Sequence, residues 1–176
     1  MKNISTILLL ATLFIISCKK EKNDEAINQS IPTFTGYTST AEDGSPTNLH
    51  KDTSDWTLND KWSTIEKELF EDYDSYNESC ILDSNIKIYP GFPNSAGEIF
   101  NISIVSDSTV KFKIKIVNQK FEVLTLTTQD SIDDYNLISF HIEDVKASSD
   151  VMLRVYYIFI TNNNCLFKGH GDIKLN

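Results

Sequence analysis

Apolar residues alternate with polar ones along most of the second half of this chain, and that period of two decides the fold class. Ile86 and Ile88 alternate, as do Phe100, Ile102 and Ile104, and Val110, Phe112, Ile114 and Ile116 are interleaved with Lys111, Lys113 and Lys115. Successive side chains on a strand point to opposite faces, so each run predicts a strand with one buried face. Phe121 to Thr128 and Leu137 to Ile142 continue the pattern, and Val117-Asn118-Gln119-Lys120 reads as a hairpin turn between two strands. From Val151 to Ile160 both faces are apolar except at Arg154, which predicts the most enclosed strand of the sheet. Cys165 to Phe167 and Asp172 to Leu175 are two short strand candidates at the end.

The period changes ahead of Cys80. Leu58, Trp62, Ile65, Leu69, Phe70 and Tyr73 are spaced by three or four, which predicts one amphipathic helix. Ser63 and Glu66 have the spacing of a capping box, in which each satisfies an orphaned backbone N–H. One helix followed by about six to eight strands predicts a mainly β protein, an antiparallel β-sandwich, with a small β-barrel as its rival. Between Lys19 and Ser54 there is no period at all: Lys, Glu, Asn, Asp, Ser and Thr dominate, with Pro32, Gly36, Gly44 and Pro46 as punctuation. That composition predicts a tether over residues 18–54, with a root-mean-square reach of roughly 30 to 35 Å, and a folded domain over 55–176. Ile31, Phe34 and Tyr37 are the positions in it that would dock locally.

The first eighteen residues are organised differently again: Met1-Lys2-Asn3, an apolar run from Ile4 to Ile16, then Ile15-Ile16-Ser17-Cys18 and the charged stretch Lys19-Lys20-Glu21-Lys22. The run is too short to cross a bilayer, which takes about 20 residues as a helix, so residues 1–17 read as a signal peptide. Ile15-Ile16-Ser17-Cys18 resembles the lipobox of bacterial lipoproteins at all four positions. The resemblance implies cleavage before Cys18 and acylation of its sulfur. Acyl chains contribute roughly 0.8 kcal/mol per buried methylene, so two or more anchor a soluble domain stably and no second membrane segment is needed. Lys19 stands where such lipoproteins often carry an aspartate for inner-membrane retention, which implies the outer membrane, on either face.

Charge and cysteine usage then narrow the chemistry. The formal charge is −9, and −10 once residues 1–17 and their Lys2 are removed. So acidic a surface argues against nucleic acid as a partner and against electrostatic attachment to anionic lipid. With Cys18 committed to lipid, Cys80 and Cys165 remain as a pair in a compartment where disulfides persist, and they are expected to be bonded. Such a bridge would contribute on the order of 4 kcal/mol in the chain-entropy account. Two separate buried thiols are the alternative.

A second resemblance covers about half the chain. Ile88-Tyr89-Pro90, Gly97 and the strand Phe100-Asn101-Ile102, followed by hairpin strands to the end, look like the C-terminal β-sandwich sorting domains of type IX secretion cargo. It implies an immunoglobulin-like sandwich, and for the family a sorting or assembly role. The order Pro90-Gly91-Phe92-Pro93-Asn94 departs from the Pro-Asn-Pro usual there. A lipobox is also a competing route to the surface, so the architecture is taken from the resemblance and the sorting role is only an alternative. A lipocalin-like barrel carrying a small apolar ligand is a further alternative, with Phe112, Phe140 and Phe159 lining its cavity.

Candidate chemistry is sparse. His50, His141 and His170 lie too far apart in sequence to suggest a shared metal. Gly169-His170-Gly171-Asp172 sets an imidazole beside a carboxylate, but reads more simply as a turn before a last strand. Asp72, Asp74, Tyr76, Asn77 and Glu78 supply oxygens as a calcium loop would, yet the glycine and the terminal glutamate of an EF-hand are missing. Trp56 and Trp62 suit either a sugar-stacking platform or the packing of a helix on a sheet, and the second is favoured. The lysine ridge Lys111, Lys113 and Lys115 suits either anionic polymers or the protection of an edge strand, again with the second favoured. No serine elbow or phosphate loop occurs. The expectation is a non-enzymatic outer-membrane lipoprotein, without cofactor or metal. Its β domain would bind an envelope protein or glycan.

Overall fold

The computed structural model describes residues 30–34, 36–58, 60–81, 86–144 and 151–176. The signal peptide and Cys18 lie outside them. The architecture is mainly β: β1 (Lys87–Ile88), β2 (Ile99–Asn118), β3 (Val123–His141), β4 (Met152–Thr161) and β5 (Leu166–Lys174) form one antiparallel sheet. Several strands expected as separate pieces are continuous. Phe100–Ile104 and Val110–Ile116 both belong to β2, the two segments up to Ile142 merge in β3, and the two C-terminal candidates merge in β5. Between the halves of β2 the polar run Ser106-Asp107-Ser108-Thr109 forms an irregularity rather than a turn, because the Ser106 hydroxyl donates to the Ser108 carbonyl at 2.6 Å and keeps the chain extended.

β2 organises the sheet. One of its edges pairs with β3 along the whole strand; the other pairs with β1 in the first half and β4 in the second, and β4 carries β5. Register shifts at Ser106/Val110, with Asp134 at a φ of 58° opposite, bend both long strands at the same level. The sheet therefore curls until its halves face each other. Trp56 marks the meeting, its ring centroid 6.1 Å from Phe100 in the first half and 6.0 Å from Tyr157 in the second. Phe100, Ile102, Ile104, Phe112, Ile114, Ile116, Val155 and Phe159 share that core and are fully buried. The facing layers are two halves of one sheet: two separate immunoglobulin-like sheets are not seen among the described residues, and no β3–β5 pairing closes a barrel.

Three expectations change with this topology. The lysine ridge lies on β2, which has partner strands on both sides, so it does not guard an edge; among the described residues β1, β3 and β5 are the strands that pair with one other strand only. Gly169-His170-Gly171 is not a turn but the middle of β5. A β-carbon at Gly171 would overlap the Trp56 ring, and one at Gly169 the Thr57 carbonyl, so the glycines admit the N-terminal segment. The folded unit also begins well before residue 55. Thr38, Ser39 and Thr40 are buried, Thr40 exchanges backbone hydrogen bonds with Asn94, and the Asn94 amide donates to the Thr38 and Asp172 carbonyls.

The segment after Asp55 runs beside β5 before crossing the outer face. Trp56 N–H donates to His170 O at 2.7 Å, and Asp60 N–H to Lys168 O at 3.3 Å. The expected helix is much shorter than its periodicity implied: α1 is Thr64–Lys67, with the capping box formed by Glu66 accepting from Ser63 N–H at 2.7 Å. Beyond it the chain continues in tighter turns, Leu69 N–H to Glu66 O and Phe70 N–H to Lys67 O, then a single 3₁₀ turn at Tyr73–Ser75. Contacts with the sheet decide this. Trp62, Phe70 and Tyr73 stack in one cluster against Tyr156, Ile158 and Ile160, and the Tyr156 hydroxyl donates to Glu66 at 2.9 Å. The segment ends at the Cys80–Cys165 disulfide, which joins it to the start of β5 across a sequence separation of 85.

Candidate binding face

The sheet presents two outer faces, and they differ in what covers them. Outside the second half, the 56–80 segment is fastened through a polar layer. Arg154 makes a two-pronged ion pair with Asp172, 2.6 Å at each prong, with both side chains buried. Lys168 and Lys67 hold Glu78, Lys113 donates to Asp72, and His170 Nδ1 meets Asp60. Burial pushes the Glu78 carboxyl up, but the hydrogen bonds from Lys168 and Lys67 outweigh it and hold the group down at about 2. Asp55 is the opposite case. It accepts from Thr38 N–H at 2.8 Å and Asp172 N–H at 2.7 Å, yet burial and the nearby Asp172 charge push it up to about 7.

This layer places a hydroxyl, a carboxylate and an imidazole in one chain of contacts. Thr57 donates to Asp60 at 2.5 Å and Asp60 meets His170, so the carboxylate sits between hydroxyl and imidazole. Nucleophile activation needs the imidazole in the middle, where it takes the hydroxyl proton. Asp172, adjacent in sequence to the His170 motif, points instead at Arg154. Asp72 faces Lys113 and Tyr76. Among the described residues no three His, Cys, Asp or Glu side chains are arranged to hold a metal ion. Trp56 and Trp62 are both buried, so neither offers a platform. Phe112, Phe140 and Phe159 belong to the packed core with Trp56 and Tyr157, and Phe112 lies 4.6 Å from Phe159 ring to ring.

Outside the first half the sheet is exposed in part: Ile99 and Leu137 are open to solvent, whereas Ser103 is buried. Three strands build this face. Ile99, Asn101, Ser103 and Val105 come from β2, with their neighbours Phe100, Ile102 and Ile104 in the core. Tyr135, Leu137, Ser139 and His141 come from β3, paired opposite Val105, Ser103, Asn101 and Ile99. Lys87 of β1 pairs with Val105, and Tyr89 donates its N–H to Ser103 O at 3.0 Å. Tyr89, Ile99, Tyr135 and Leu137 are 45, 41, 61 and 50% exposed, four of the nine exposed large apolar side chains among the described residues, gathered on one surface. The others are scattered, as single exposed apolar residues ordinarily are.

Polar groups on the face are short and mutually engaged. The Tyr135 hydroxyl lies 3.1 Å from Ser103 Oγ, on the diagonal neighbour, so the phenol lies along the sheet and turns one side of its ring to solvent. Ser139 donates to Asn101 at 2.6 Å, and the Asn101 amide reaches Phe92 O at 3.2 Å. Charges stay at the perimeter: Lys87 at one side, Asp134 opposite Ser106, and Glu98 before Ile99. Apart from His141, weighed only as a metal ligand, none of these face residues was a sequence candidate for binding, although a signal was present. In Tyr135-Asn136-Leu137-Ile138-Ser139-Phe140 apolar residues occupy both parities, which an exposed strand face does not require.

The chain matches no known protein family model, and no curated protein matches it.

Proposed function

We propose that this protein is an envelope lipoprotein, anchored through acylated Cys18 at the outer membrane, whose β domain is a non-catalytic binding module. The observation that carries the reading is the gathering of Tyr89, Ile99, Tyr135 and Leu137 on one outer face, where an alternating sheet ordinarily places polar residues. The lipobox supplies the address, and the face supplies a surface for another envelope component. The connectivity Thr57–Asp60–His170 supports a structural role for the polar layer, because it fastens the 56–80 segment and lacks an activated nucleophile.

Tyrosine nitration tests this directly. Tyr89 and Tyr135 should react readily with tetranitromethane in the purified full chain. They should be protected at least severalfold in intact envelopes, with nitration mapped by mass spectrometry. Equal reactivity in both settings would remove the binding-module reading.

A further inference from the structure

The structure assigns to this face an uncharged glycan: we infer that a short run of neutral sugar rings lies across Tyr89 and Tyr135 and exchanges hydrogen bonds with Asn101 and Ser139. This inference rests on the binding-module reading and specifies its ligand class.

Four observations select that occupant. The first is charge. The chain carries a formal −9, yet the ten residues from the three strands that make the face include one formal charge, Lys87, at its margin. A charged polymer has no counter-ion here, and neutrality within so acidic a molecule matches a neutral ligand. The second is size. From Ile99 to Val105 across three strands the face covers roughly 300 Å², on strand spacings alone. A stable pairing of two copies buries about 800 Å² on each partner, and two chains of this charge repel one another. A few sugar rings fit that area; a second copy does not.

The third is chemistry. A pyranose offers a flat C–H face bounded by hydroxyls. The Tyr135 ring lies along the sheet, held by its hydroxyl at Ser103, and Tyr89 lies on the other side of that serine. Such a ring loses little freedom when a ligand stacks on it. Beside the rings stand the Asn101 amide and the Ser139 hydroxyl, which both donate and accept, as sugar hydroxyls do. The fourth is placement. At Thr33 and Phe34 the chain lies beside Arg154, on the covered outer face, and Phe34 stacks over its guanidinium at 4.5 Å. The glycan face is on the far side of the core. The dozen or so residues from Cys18 to Ser30 span at most about 40 Å, so an acylated Cys18 would tether the domain from its covered side and leave the opposite face accessible.

The test uses the purified full chain in detergent and affinity electrophoresis in gels containing galactomannan, xyloglucan or dextran as uncharged probes, with alginate and dextran sulfate as charged ones. The expected result is retardation by at least one uncharged polysaccharide. Tyr135→Ala and Tyr89→Ala should each weaken it by about 3- to 10-fold, the range for losing one aromatic contact. Tyr135→Phe keeps the ring and should bind like the wild type, and circular dichroism melts check that each variant folds. Retardation by none of the uncharged probes, retardation by the charged probes alone, or unchanged binding by both alanine variants would overturn the glycan assignment. So would a concentration-dependent dimer in light scattering that Tyr135→Ala dissolves. If the tyrosines are protected in envelopes while no uncharged polysaccharide binds, the ligand class falls and the binding module stands.

Discussion

Asp55 shows how one side chain ties the ends of the chain together and what that costs. Its carboxylate accepts an N–H from Thr38 on one side and from Asp172 on the other, inside a site already occupied by the Arg154–Asp172 pair. Burial and Asp172 raise it to about 7, from an ordinary value near 3.8. A carboxyl raised in the folded state stabilises fully at pH below its unfolded value, and that contribution is lost as pH rises toward 7. At roughly 1.4 kcal/mol per pH unit of separation, a few kcal/mol are at stake. Asp55→Asn should therefore flatten the dependence of unfolding free energy on pH between about 4 and 7, measured by urea titration. An Asn variant as steep as the wild type would place the titration elsewhere. Glu78, held at about 2 by its lysines, behaves oppositely: its contribution is present above its ordinary value of 4.5 and is lost as pH falls toward 2.

At the scale of elements, β5 and the N-terminal segment fit closely enough to require glycine at two positions. Gly171 lies against the Trp56 ring, and Gly169 against the Thr57 carbonyl. Gly171→Ala should cost at least roughly 1–3 kcal/mol, the range for overpacking a filled core, read as a lowered thermal midpoint. An alanine variant melting with the wild type would show that the segment detaches at no cost. Much of this level was legible beforehand. The alternating runs gave the strands, the enclosure of Val151 to Ile160 appeared in β4, and Cys80 and Cys165 were paired by compartment and parity alone. What escaped depends on contacts distant in sequence. Trp62, Phe70 and Tyr73 have helical spacing, yet stacking on Tyr156 and Ile158 breaks the helix into tight turns. Glycines in a strand look like punctuation until the segment that passes over them is known. The exposed tyrosines escaped because periodicity reports which face is buried in a strand pair, not which outer face a later segment will cover.

At the scale of the whole molecule, the two outer faces give the domain a polarity: one is covered where the chain enters, the other is open. Its attachment is a prediction in itself. Cys18→Ser should leave the precursor uncut or release the chain from membranes, read by fractionation and by the mass of the N-terminal peptide. Unchanged maturation and sedimentation with membranes would remove the lipid anchor. The arrangement of Asp55 and Trp56 against β5 carries a last consequence. Residues 55–60 close on the strand Leu166–Lys174, more than a hundred residues further along the chain. Residues 55–60 lack this partner until β5 has been made, and contacts so distant along the chain form slowly. A polypeptide emerging from its N-terminus therefore keeps its early segment unlatched until β5 arrives, so a truncation that removes β5 takes the latch of residues 55–60 with it.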